Sequence, residues 1–214
     1  MQKCQKNLLK FIDSHLNLCY NHSKERKVKT MRNLPGTVLA TDDVTIGFDV
    51  ILPSIKATNG LTLAQVCTVT GLEQSTIQNW IKRGWVAHPE NKRYGEYQLA
   101  RIMIINMLRA SMQLDNIAYL LRYVNGEADD RGDDSIPDSV LYTHLCGIVQ
   151  QCEADELVRP DDVKTAVTEA LSDYTEAWPG AREKLTEALT VMALAFIASE
   201  IRKDAENLFE KLRG

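Results

Sequence analysis

Apolar residues recur at helical spacing through most of the chain. Leu63, Val66 and Cys67 fall at i, i+3 and i+4, and Thr62 with Gln65 three residues later forms a capping box, so a helix is expected to begin there. Gly71 supplies a tight turn. A second helix, about Gln74 to Arg83, turns Ile77, Trp80 and Ile81 inward and ends at Gly84, a residue suited to a left-handed cap. The segment from Ala87 to Glu96 is short and turn-rich and reads as a wing. Tyr97 to Arg109 is apolar nearly all round and is expected to be the central buried helix. Leu114, Ile117 and Leu121 line a further amphipathic helix that stops near Gly126.

Beyond Gly126 the pattern predicts three helices, about Ser139 to Cys152, Asp161 to Asp173 and Ala181 to Arg213, punctuated by Pro160 and Pro179–Gly180. The last would be roughly 50 Å long at 1.5 Å per residue. It is expected to pack on the preceding helices and also to contribute to a homodimer. Before the first capping box, Leu8, Phe11, Ile12, Leu16 and Cys19 predict a docking helix over residues 4–20. Lys24 to Arg32 reads as a solvated basic arm. Met31 stands where a second translation start would fit. Residues 34–60, with Pro35, Gly36, Gly47, Pro53 and Gly60, read as turns.

The charge distribution separates the two halves. The net charge is −4, but residues 1–33 carry +6, 34–60 carry −2, 61–126 carry +3 and 127–214 carry −11. Polyanion contact therefore belongs to the N-terminal half, because a phosphate backbone would repel the acidic half. On the exposed face of the second helix, Gln74, Ser75, Gln78 and Asn79 suit base edges or phosphates, and Lys82 and Arg83 add charge at its end. In the wing, Asn91, Lys92, Arg93 and Tyr94 complete the candidate DNA-binding set. Ile77 and Trp80 are expected in the core, and Trp85 as a lid on it.

Other chemistry finds little footing. The five cysteines form no C-x-x-C pair, which points to a reducing cytoplasm rather than a disulfide framework. The apolar run Ala188 to Ala198 is about eleven residues, where a membrane span needs roughly twenty. Glu127 to Asp138 places Gly132 at the sixth position of a calcium-loop pattern, but Arg131 stands at the fifth, so an acidic linker is the expected reading. His144, Cys146 and Cys152 lack a fourth zinc ligand. No phosphate-binding loop, dinucleotide fingerprint or Ser/His/Asp set is present, so neither enzyme activity nor a cofactor is expected, and no residue points to a small-molecule effector.

The order LTLAQVC over 61–67, Thr70, Gly71, Leu72, then Thr76, Trp80, Gly84, Arg93, Leu99, Met112, Leu114, Ile117 and Leu121 resembles the MerR-type winged helix. More closely, IQNWIKRG over 77–84, KRY over 92–94 and LARI over 99–102 resemble an uncharacterised bacterial, mostly Firmicute, domain family built on that core. The resemblance covers about residues 35–126 and implies a DNA-binding transcriptional regulator. Gln78 stands where MerR-type helices carry an Arg, and Glu73 where they carry a capping Ser. The expected architecture is mostly α. A basic helix and arm (1–33) precede a MerR-like winged helix-turn-helix (34–126), an acidic linker (127–138) and a helical region suited to dimerisation (139–214). The expected partner is double-stranded DNA. The rival expectation is a protein-interaction module that keeps the winged fold without DNA affinity.

Overall fold

A computed structural model describes residues 32–41 and 47–214 and is mostly helical. The docking helix expected over 4–20 lies outside the described residues, as does the basic arm apart from Arg32. The described chain opens with a two-stranded antiparallel hairpin, β1 (Arg32–Asn33) and β2 (Ala40–Thr41). At its bend Gly36 has φ +73°, and a Cβ there would stand 2.2 Å from the carbonyl oxygen of Met103. Only glycine allows that approach. The Asn106 amide donates to the carbonyls of Gly36 at 2.8 Å and Thr70 at 2.9 Å, and the Tyr142 hydroxyl donates to Pro35 at 2.6 Å. The hairpin thus ties together segments far apart in sequence.

A 3-10 turn (Phe48–Val50) leads into α1 (Leu52–Thr58). This helix falls where the sequence reads as turns. Pro53 sits in its first turn, where a missing N–H costs nothing, and Ile51 and Ile55 seat it on the core. Two helices follow, α2 (Leu63–Thr70) and α3 (Gln74–Lys82), joined through Gly71 at φ +69°. The capping box forms as expected: the Gln65 N–H donates to the Thr62 hydroxyl at 3.3 Å, and the Thr62 N–H donates to the Gln65 side chain at 2.8 Å.

Helix α4 (Glu96–Leu108) is the centre of the molecule, with Leu99, Ile102, Met103, Ile104 and Leu108 fully buried. It packs on α2, on α5 (Leu114–Asn125) and on α6 (Asp138–Ala154). Then come α7 (Pro160–Ala170) and the 33-residue α8 (Ala181–Arg213). One apolar cluster runs from Leu34 to Ala193, so the helices on either side of residues 127–138 share a core.

The segment 127–138, expected as an acidic linker, begins exposed and ends as packed structure. Ser135 and Ile136 are buried, and the fully buried Asn125 amide donates to the Ile136 carbonyl at 2.7 Å while accepting from the N–H groups of Ser135 and Ile136. The same amide donates to Asp138 Oδ1 at 2.9 Å, and Asp138 Oδ2 accepts from Arg101 Nη1 at 3.3 Å. Helix α8 packs on its neighbours through Leu185, Ala188, Leu189, Met192 and Ala193. From Glu200 to its end every residue is exposed.

Candidate nucleic-acid interface

Helix α3 divides by period. Ile77 and Trp80 are buried and Ile81 packs half-buried beside them, which orients the opposite face of the helix outward. Gln74, Ser75, Gln78, Asn79, Lys82 and Arg83 are all exposed. Glu73 is the residue before the first turn and forms no capping hydrogen bond through its side chain. At the other end Arg83 caps the helix, the chain turns through Gly84 at φ +71°, and the Trp85 N–H returns to the Trp80 carbonyl at 3.0 Å. Trp85 is buried there, the position expected for a lid.

The segment expected as a wing forms a two-residue turn. The Arg93 N–H donates to the Glu90 carbonyl at 2.8 Å, with Asn91 at φ +50° and Lys92 at φ +60° between them. Two left-handed residues in succession match the right-handed twist of a hairpin, and Asn tolerates that conformation better than most residues. The turn is anchored to the entrance of α2 by paired backbone bonds between Leu61 and Tyr94, at 2.9 and 2.8 Å. Its tip presents Asn91 and Lys92 to solvent.

Three of the expected contact residues are differently employed. The side chain of Tyr94 is 3% exposed and belongs to the core, because strand pairing with Leu61 turns it inward. Burial removes it from the candidate contact set. Arg93 is half-buried and donates through Nη1 to the Gly60 carbonyl at 3.2 Å, which braces the hairpin against the end of α1. Arg83 lies 4.9 Å from the centre of the Trp85 ring and 3.9 Å from Asp115 of α5, both partners of that ion pair being largely exposed. Lys82 at the end of α3 and Lys92 at the hairpin tip form no ion pair among the described residues.

Sequence periodicity gave no sign of several neighbours. Asp129 accepts from the His88 N–H at 3.3 Å and stands 3.8 Å from His88 Nδ1, so the acidic segment touches the base of the hairpin. Gln98 donates to the His88 carbonyl at 3.1 Å and accepts from the Gly95 N–H at 3.0 Å. The Arg131 guanidinium lies 3.5 Å from the Tyr97 ring centre. An open groove of about 330 Å³ runs beside the hairpin, lined by Lys56, Asn59, Glu90, Arg93, Glu96 and Arg131 among others. Its mixture of charges selects no ligand class.

Further from this face, burial pushes the Cys146 thiol up to about 12 and lowers the His144 imidazole. Among the described residues no three His, Cys, Asp or Glu side chains gather as a metal site would require. Among them, too, no helix is long and apolar enough to cross a membrane.

Comparison with known proteins places the chain. Residues 29–145 match the model of a family described as a domain of unknown function, DUF1836. That span runs through the hairpin, α1 to α5 and the first part of α6, and leaves α7 and α8 outside it. The "Uncharacterized protein YkrK" of Bacillus subtilis (strain 168) is 31% identical over 91 residues, which is 41% of this chain and 39% of that protein. The chain thus spans well under half the length of this relative. No solved structure matches significantly. With more than half of its length matched, the chain belongs to the DUF1836 family.

Proposed function

We propose that the protein is a DNA-binding transcriptional regulator whose α2–α3 pair and following hairpin act as a MerR-like winged helix-turn-helix. The observation that carries this reading is the division of α3: Ile77 and Trp80 lock one side into the core while Gln74, Ser75, Gln78, Asn79 and Lys82 are exposed on the other, with Arg83 exposed at its end. A nine-residue helix fits a major groove about 12 Å wide. In this reading Gln74, Ser75, Gln78 and Asn79 meet base edges or nearby phosphates. Lys82 and Lys92 contact phosphate, and Arg93 holds the wing in place through Gly60.

The test is fluorescence anisotropy of the full chain with duplex DNA from its own upstream region and with a scrambled duplex, at two salt concentrations. The expected result is preference for the upstream duplex and affinity that falls steeply as salt rises. Lys92→Ala should weaken binding to both duplexes and lower the salt slope by about one, whereas Gln78→Ala or Asn79→Ala should change the preference. Absence of binding at low salt and micromolar protein would overturn the proposal.

The alternative, a protein-interaction module on the same scaffold, is favoured by one observation. Arg83 and Arg93, the arginines of the candidate set, are engaged by Asp115 with Trp85 and by Gly60 respectively. An apolar protein interface would survive the salt that dissociates a phosphate contact.

A further inference from the structure

The distal half of α8 carries an apolar stripe that no described residue covers. Ile201 is 54% exposed, Leu208 62% and Leu212 85%. Ile201, Ala205, Leu208 and Leu212 succeed one another at intervals of four, three and four residues, which places them on one face as the seam positions of a heptad. One flank of the seam holds Asp204 and Lys211, and the other holds Arg202 and Phe209.

We propose that this face pairs with the same face of a second copy, antiparallel about a two-fold axis, in the register that sets Ile201 against Leu212 and Ala205 against Leu208. In that register Asp204 meets Lys211 of the second copy and Lys211 meets its Asp204, while Arg202 lies across Phe209. Shifting by one heptad, so that Leu194 meets Leu212, sets Asp204 against Asp204 and Arg202 against Arg202. Parallel pairing sets Asp204 against Phe209 and leaves no opposite charges across the seam. Charge complementarity therefore selects both the direction and the register.

The ion pairs along the helix agree with this choice. Arg202–Glu206, Lys203–Glu200 and Arg213–Glu210 pair within it at 3.5, 3.7 and 3.3 Å, whereas Asp204 and Lys211 form no ion pair among the described residues. The register also uses only residues beyond Ser199, the last buried position of α8. The two bodies consequently stand at opposite ends of the paired segment and do not compete for space. A contact of about twelve residues per copy buries less than the roughly 1,600 Å² of a standard stable interface, so the dimer is concentration-dependent. The inference is independent of DNA binding.

The experiment is sedimentation velocity of the full chain across a concentration series, with circular dichroism to verify equal helicity in every variant. The wild type should move from the 24.1 kDa monomer toward twice that mass. Asp204→Lys alone and Lys211→Asp alone each create two like-charge pairs across the seam and should weaken self-association about tenfold or more. The combined variant should restore it, and mixing the two single variants should give a heterodimer tighter than either self-pair. A wild type that stays monomeric throughout would overturn the proposal. So would a dimer unmoved by both single changes, or a combined variant that fails to recover.

Discussion

Asp138→Ala is expected to cost about 3 kcal/mol, and the structure supplies the reasons. Arg101, on the central helix α4, is 5% exposed; its Nη1 donates to Asp138 at 3.3 Å and its Nε has no hydrogen-bond partner among the described residues. Removing the carboxylate leaves a buried guanidinium without its directly bonded counter-charge and takes one acceptor from the Asn125 amide. Breaking a buried pair in this way typically costs about 3–5 kcal/mol. The lower end applies because the Asp134 carboxylate also lies within electrostatic reach of Arg101. Out of a total stability of about 5–15 kcal/mol, that loss is large.

Urea unfolding followed by far-ultraviolet circular dichroism and by tryptophan fluorescence checks it. Trp80 and Trp85 report the α2–α3 region and Trp178 the approach to α8, so coincident transitions would indicate one cooperative unit on both sides of residues 127–138. The paired change Arg101→Met with Asp138→Leu should recover most of the loss, because apolar replacement of both partners removes the desolvation cost along with the attraction. A cost below about 1 kcal/mol for Asp138→Ala would refute the reasoning, as would a paired variant as unstable as the sum of its singles.

Two further outcomes concern stability. Burial, followed by the neighbouring Asp138 charge, raises the Asp134 carboxyl from an ordinary 3.8 to about 6. Between those values the folded protein binds more protons than the unfolded chain, so this group lowers stability as pH rises through the window and has a constant unfavourable effect above it. Asp134→Asn should add about 1 kcal/mol well above the window and nothing below it in pH-dependent urea melts; the full shift would correspond to about 3 kcal/mol, discounted because the side chain is only partly buried. An equal gain at both ends of the pH range would contradict this. Gly36→Ala should cost more than about 3 kcal/mol, since the added methyl meets the Met103 backbone at a positive φ, whereas Gly84→Ala, equally left-handed but in open space, should cost about 1 kcal/mol. Thermal melts of the two side by side compare the clash with the conformational cost alone.

Much of the framework was legible because it depends on neighbours three or four residues apart. The Thr62–Gln65 box, the inward stripe of Ile77 and Trp80, the largely apolar, buried α4 and the stops at Gly71, Gly84 and Gly126 are local features, and the structure bears them out. Helix α1 was hidden because its Pro53 and bordering glycines read as turn signals, although a proline in the first turn is compatible with a helix. Membership of an uncharacterised bacterial family was readable from the motifs between residues 77 and 102, and the comparisons show that family without giving it an activity.

What the sequence alone determined, then, is the mostly helical content, which face of α3 is polar, and where the long last helix runs. The fates of individual polar groups were settled only in three dimensions. Tyr94 turned inward because Leu61, thirty-three residues earlier, pairs with its backbone, and Arg93 was drawn to Gly60 by the same approach. Asn125, Arg101 and Asp138 form their network because α4, the end of α5 and the start of α6 converge around charges that burial obliges to find partners. Periodicity records which side of a helix is apolar. It carries no information about which distant carbonyl or carboxylate will stand opposite a given side chain, and that opposition separates a bracing residue from a free one.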